Sequence, residues 1–167
     1  MYQIVIPDKL SEERYISGIH ALNLPAPEGT SGDWHFSSVF YRDSDSRASN
    51  IVMIAGNGER FDTNQIFGNY GIYNCNKTLE NVGLKAQGEI SYAANHYRAI
   101  LDLLYEEIKN GNYPSYLQRI TEDYLDTEEE KNILLEKVNI MLPYLSLNER
   151  EMLHKWIEEE RKPGYRS

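Results

Sequence analysis

Three of the four histidines in this 167-residue chain sit in polar clusters whose residue types could do chemistry. His20 lies in the run Gly18-Ile-His-Ala-Leu-Asn23-Leu-Pro25, and His35 closes Gly32-Asp33-Trp34-His35. A loop rich in proline and glycine joins the two runs, and such loops are where a rigid scaffold presents binding groups. The third, His96, stands in Asn95-His-Tyr-Arg98, on the strongest helical pattern of the chain. Convergence of His20, His35 and His96 with Asp33 would supply three nitrogens and a carboxylate, a donor set for a divalent metal. Alternatively, one imidazole would act as a general base oriented by Asp33. The spacing favours a plainer role, in which the histidines hydrogen-bond the loop and fix its path. No His-Glu-x-x-His pair exists, so neither a metal site nor a cofactor is assigned.

Arg98 and Asp102 are four residues apart and should face each other as an ion pair, exposed or half-buried. The alternative has Arg98 reaching an anionic ligand while Asp102 orients it. Should the chain be an enzyme, His20, Asp33, His35 and Arg98 are its candidate catalytic residues. Should it bind a ligand without chemistry, Asn23, Trp34, Asn95, His96 and Arg98 are the candidates.

Other motifs are incomplete. Gly56-x-Gly58 and Gly68-x-x-Gly71 open no clear helix and lack the Lys-Ser/Thr of a phosphate loop, so they read as turns. Asp43-x-Asp45 lacks the glycine and closing glutamate of a calcium loop. There is no Gly-x-Ser-x-Gly elbow. Cys75 is the single cysteine, so no internal disulfide exists, and no base adjoins it in sequence.

Composition narrows the classes further. A hydrophobic share of 41% with 26% charged residues excludes a wholly disordered chain. The formal charge of −9 argues against direct nucleic-acid binding, which needs a basic face. No stretch approaches the ~20 apolar residues of a membrane span, and residues 1–8 do not read as a signal peptide. The expectation is a cytoplasmic protein without membrane contact. Thirteen tyrosines are many for this length and suit a partner surface as well as a core edge.

The elements that must position these groups follow from periodicity. The chain reads as a single domain, 1–167, with a mixed strand and loop region over 1–89 and a helical region over 90–162. A strand is expected over Tyr2–Ile6. A helix capped by Ser11 should run through about Leu22. Residues Trp34–Tyr41 and Ile51–Ala55 suit a hairpin, and Ile72–Cys75 a further strand. One long helix is expected from Ile90 to Ile108, ended by Gly111, and a second beyond Tyr113-Pro114. Thr127 with Glu130 and Ser146 with Glu149 are capping-box pairs that open the last two helices. The runs at Glu128–Glu130 and Glu158–Glu160 read as solvated faces. The fold class is α+β: a small, mainly antiparallel N-terminal sheet packed on a C-terminal bundle of about four helices.

The strings Tyr15-Ile-Ser-Gly-Ile-His-Ala-Leu-Asn-Leu-Pro25, Gly32-Asp-Trp-His35 and Ala94-Asn-His-Tyr-Arg-Ala-Ile-Leu-Asp-Leu-Leu104 resemble a pattern in small uncharacterised bacterial proteins. Those belong to mobile-element and toxin–antitoxin-like gene neighbourhoods. The resemblance covers about the first two thirds of the chain and carries no catalytic assignment. It implies a bacterial cytoplasmic protein with a protein partner, and the tail from Thr127 lies outside it. The functional expectation is a non-enzymatic acidic protein-binding module, an antitoxin-like neutraliser of a basic partner. The alternatives are a small hydrolase or phosphodiester-cleaving enzyme using a His/Asp/Arg cleft, and a small-ligand sensor.

Overall fold

A computed structural model describes residues 1–30 and 36–164 of the chain. The strands are β1 (Tyr2–Gln3), β2 (Arg14–Ile16), β3 (Tyr41–Arg42), β4 (Ile54–Gly56), β5 (Ile72–Asn74) and β6 (Tyr92–Ala94). The helices are α1 (Gly18–Leu22), α2 (Phe36–Phe40), α3 (Asn64–Phe67), α4 (Asn76–Asn81), α5 (His96–Lys109), α6 (Ile120–Tyr124), α7 (Glu128–Ile140) and α8 (Leu147–Arg161). The fold is α+β, and four of these helices make up the C-terminal part.

Four strands form the main sheet in the order β4-β2-β6-β5. Its outer pairs are antiparallel, with Tyr15 opposite Ala55 and Tyr73 opposite Ala93. The central pair is parallel and sets Ile16 beside Ala93. Strands β1 and β3 make a separate antiparallel ribbon, Tyr2 opposite Arg42. One contiguous core runs from Ile4 to Ile157 and includes Phe40, Leu101, Leu104 and Trp156. The sheet is thus not confined to the N-terminal half, because β6 comes from residues expected to begin a helix.

That helix starts at His96 instead of Ile90. Asn95 accepts from the Arg98 amide through its side chain at 2.9 Å, which is an N-cap. The small Ala93 and Ala94, fully buried, fill the sheet between β2 and β5. The helix expected from Ser11 is likewise divided. Tyr15 and Ile16 are buried strand residues, and Gly18 then turns the chain at φ +58°. The positive φ favours glycine at this turn, and a Cβ there would also have to displace the end of the Met53 side chain, 2.6 Å away at Sδ.

Residues Phe36–Phe40 form a helix where alternation suggested a strand. Phe36 and Phe40 satisfy period two and also the i, i+4 spacing of a helix. Their rings lie 4.9 Å apart on one side, and that packing decides for the helix. The expected helix after Pro114 breaks into a 3₁₀ turn at Ser115–Leu117 and α6, because Arg119 adopts a left-handed conformation at φ +64°. Glu160, expected on a solvated face, is fully buried. Its carboxylate accepts from the Arg119 amide at 2.6 Å and from the Thr121 amide and hydroxyl. It therefore holds the first turn of α6, whose N–H groups have no partner within the helix. The Ser146 capping box is complete, whereas Glu130 reaches the Asp126 amide rather than that of Thr127.

Candidate functional site

Two of the polar strings identified in the sequence, those of residues 15–25 and 94–104, meet along the first two turns of α5, while Gly32-Asp33-Trp34-His35 lies outside the described residues. Segment 15–30 lies against that helix, so the N-terminal and mid-chain clusters come together. Most of their polar groups, however, point at partners within the chain.

Arg98 and Asp102 form a fully buried ion pair, Nε to Oδ1 at 3.3 Å. This corrects the expectation of an exposed or half-buried pair. Tyr15 and Ser17 hydroxyls donate to Asp102 Oδ2 at 2.8 and 2.7 Å, and Thr63 donates to Oδ1. Burial pushes the Asp102 carboxyl above its ordinary range, and Arg98 and the three hydroxyls offset only part of that rise. Four donors converging on two oxygens is the arrangement an ionised carboxylate requires. The guanidinium donates to the carbonyls of Gly68 and Tyr70, both at 2.8 Å, and to Asn64 Oδ1 at 3.0 Å. It also lies 5.3 Å from the Tyr15 ring centre and 5.5 Å from that of Phe67. With no exposed surface and these partners, Arg98 joins β2, α3, the Gly68–Gly71 turn and α5, and presents no charge to a ligand.

Gly71 closes this cluster. It adopts φ +75°, and a Cβ there would meet Asn95 Oδ1 at 2.6 Å and Arg98 Cβ at 2.9 Å. The turn thus presses directly on the cap of α5.

His96 faces away from Asp102. Its Nε2 lies 2.7 Å from the Leu24 carbonyl, and its Nδ1 2.6 Å from Thr30 Oγ1. A carbonyl can only accept, so Nε2 carries the proton and Nδ1 accepts from the threonine. Burial pushes this imidazole down, against the opposing pull of the Leu24 carbonyl. Asn95 Nδ2 donates to Glu28 at 2.8 Å. Asn95 and His96 together therefore clamp the loop from Leu24 to Thr30 onto α5.

His20 is buried beneath Phe40, ring centres 5.4 Å apart. Its Nδ1 accepts from the Met53 amide at 2.9 Å, which leaves the proton on Nε2. Burial, followed by the charge of Arg42, lowers its pKa to about 4. A metal would require the protonated Nε2 or the occupied Nδ1, and a general base would require the same lone pair. Asn23 donates to the Ile19 carbonyl at 2.9 Å. Asp33, Trp34 and His35 lie outside the described residues, so the proposed meeting of His20 with His35 has no geometry here.

Among the described residues, no three His, Cys, Asp or Glu side chains are grouped to hold a metal. Five surface cavities have volumes from about 260 to 570 Å³. None has His20, Asn23, Asn95, His96 or Arg98 on its wall. Cys75 is buried, and burial pushes its thiol up to about 12, which keeps it protonated and unreactive. No helix among the described residues is long and apolar enough to cross a membrane. No family model matches the chain, and no match to it is found among curated proteins or among solved structures.

Sequence reasoning found the residues of this cluster on α5 but missed Tyr15, Ser17, Thr63 and Gly71. Asn95 carried a usable signal, since an Asn directly before a helical stripe is a favoured cap. Thr63 carried none, because only the folded chain brings it to Asp102.

Proposed function

We propose that this chain is a non-catalytic, acidic protein-binding module that captures and neutralises a basic partner protein, in the manner of an antitoxin. One observation carries the reading. The sequence has 26 acidic and 17 basic residues. Among the described residues, burial removes Asp102 and Glu160 on one side and Arg98 and Lys131 on the other. Among the described residues, folding therefore leaves the acidic excess at or near the surface. Such a surface attracts basic partners and repels nucleic acid and anionic membranes. The polar groups of α5 add to this reading from the opposite direction, because they are occupied inside the protein.

The test is affinity capture from the native host at low and moderate salt, followed by binding of the purified partner. The expected result is a basic protein whose affinity falls steeply with ionic strength. Recovery of no partner at either salt, or of one indifferent to salt, overturns the proposal.

A further inference from the structure

Asparagine is followed by glycine twice in the chain, at Asn57-Gly58 and at Asn110-Gly111. In such a pair the glycine backbone nitrogen can attack the preceding side-chain amide, because the glycine has no Cβ to hinder the approach. All four residues are exposed, so solvent reaches both pairs. The local sequences treat the two alike, and the fold separates them.

The attack needs a free glycine nitrogen, a carbonyl oxygen whose developing charge is stabilised, and an amide nitrogen able to leave. Asn57 and Gly58 form the turn after β4, closed by the Glu59 amide donating to the Gly56 carbonyl at 3.0 Å. No acceptor among the described residues engages the Gly58 N–H. Asn57 Oδ1 accepts from Asn64 Nδ2 at 3.0 Å, so a donor already stands where negative charge develops during attack on Cγ. Asn64 is itself held, since its Nδ2 also donates to the Glu13 carbonyl at 2.9 Å and its Oδ1 accepts from Arg98 at 3.0 Å. The Asn57 side-chain nitrogen, which has to leave, has no acceptor among the described residues.

At the second pair the hydrogen bonds fall on the opposite atoms. The Gly111 N–H donates to the Ile108 carbonyl at 3.0 Å, at the end of α5. Asn110 Nδ2 donates to Glu106 Oε1 at 3.0 Å, an oxygen that Arg60 also engages. Attack there has to break both bonds first.

We propose that Asn57 is a site of self-modification, which converts through a cyclic imide into isoaspartate and aspartate, and that the fold protects Asn110 from the same reaction. The Gly58 nitrogen gives up its proton to solvent and bonds to Asn57 Cγ. The bond from Cγ to Nδ2 breaks, and that nitrogen takes a proton from water and leaves as ammonia. Water then opens the ring. Addition at the main-chain carbonyl leaves Gly58 joined through Cγ, which is isoaspartate, and addition at Cγ gives aspartate. Either product replaces an amide by a carboxylate. Isoaspartate also lengthens the main chain by one carbon, in a turn that the Asn57 amide pins to the Glu13 carbonyl at 2.8 Å.

The test incubates the full chain in mildly alkaline buffer, where the glycine nitrogen loses its proton more readily, and follows both sites by peptide mapping with mass spectrometry. In the native protein Asn57 should convert about tenfold faster than Asn110, a factor that the hydrogen bonds at Asn110 and Gly111 account for. In guanidinium chloride the two rates should come within about twofold of each other, because the fold no longer distinguishes the pairs. Isoaspartate is expected among the products, since direct hydrolysis of the side chain yields aspartate alone. Asn57→Gln should abolish conversion at that position and leave the rate at Asn110 unchanged. Equal native rates at the two sites, a ratio that the denaturant leaves unchanged, or aspartate without isoaspartate overturns the inference.

Discussion

Asp102 is the residue on which the interior depends most directly. It is the single anion in a buried cluster with one cation, and three hydroxyls donate to it. Breaking a buried pair by removing one partner leaves an uncompensated charge, at a cost of about 3–5 kcal/mol. Asp102→Asn should therefore lower the urea midpoint by that equivalent without altering the surface. Replacing both members, Arg98→Met with Asp102→Leu, should recover part of the loss, because no charge is then stranded. A double-mutant cycle in urea measures both effects. Little loss in the single variant would show that removing the carboxylate strands no buried charge. The sequence revealed the spacing of Arg98 and Asp102 but not their burial. Burial followed from Tyr15, Ser17 and Thr63, whose nearness to Asp102 exists only after β2 and α3 close over α5.

At the scale of elements, boundaries were set by single residues that the hydrophobic pattern does not weigh. Asn95 divides what looked like one long stripe into β6 and α5. Gly18 divides β2 from α1. Phe36 and Phe40 fit two periodicities and needed their mutual packing to choose between them. Conversely, the last two helices were legible from Thr127 and Ser146, because a hydroxyl followed three residues later by glutamate is a local signal that needs no tertiary context. The Gly68–Gly71 turn was legible as a turn, while its contact with the cap of α5 was not. That contact makes a prediction. Gly71→Ala forces a side chain onto positive φ and into Asn95 and Arg98, so it should destabilise the protein by roughly 2–4 kcal/mol. Alanine at Gly83 meets nothing within 4 Å at a similar φ, and serves as the control that isolates the steric part. Equal losses at the two positions, read from chemical denaturation, would show that the crowding around α5 is absent.

At the scale of the whole molecule, α+β class and acidic surface both followed from composition and periodicity, since each sums over many residues and tolerates local errors. The mixed character of the sheet did not, because the pairing of β2 with β6 joins residues far apart in sequence. Global stability should vary with pH through the buried histidines. His20 falls to about 4 on folding from an ordinary value near 6.5, and His96 shifts in the same direction. Below pH 6.5 the unfolded chain takes up protons that the folded chain refuses until about pH 4. The stabilisation is thus complete above 6.5 and declines as pH falls through that interval, by on the order of 3 kcal/mol from His20. Between those limits the histidines' share of the unfolding free energy falls toward acid, opposed by the buried Asp102, whose carboxyl is raised on folding, and His20→Gln should remove the His20 part of that fall while leaving the share due to His96. An unchanged slope in that variant would place the acid sensitivity elsewhere.

The parallel pairing of Ile16 with Ala93 has a consequence for synthesis. As the chain leaves the ribosome, β2 emerges long before β6, and one edge of it stays without a hydrogen-bonding neighbour until Ala93 is available. During that interval the nascent chain carries an open, largely apolar strand edge, the feature through which unfinished proteins stick to one another. The distance along the chain between those two residues thus fixes how long each new copy needs shelter before it can complete its sheet.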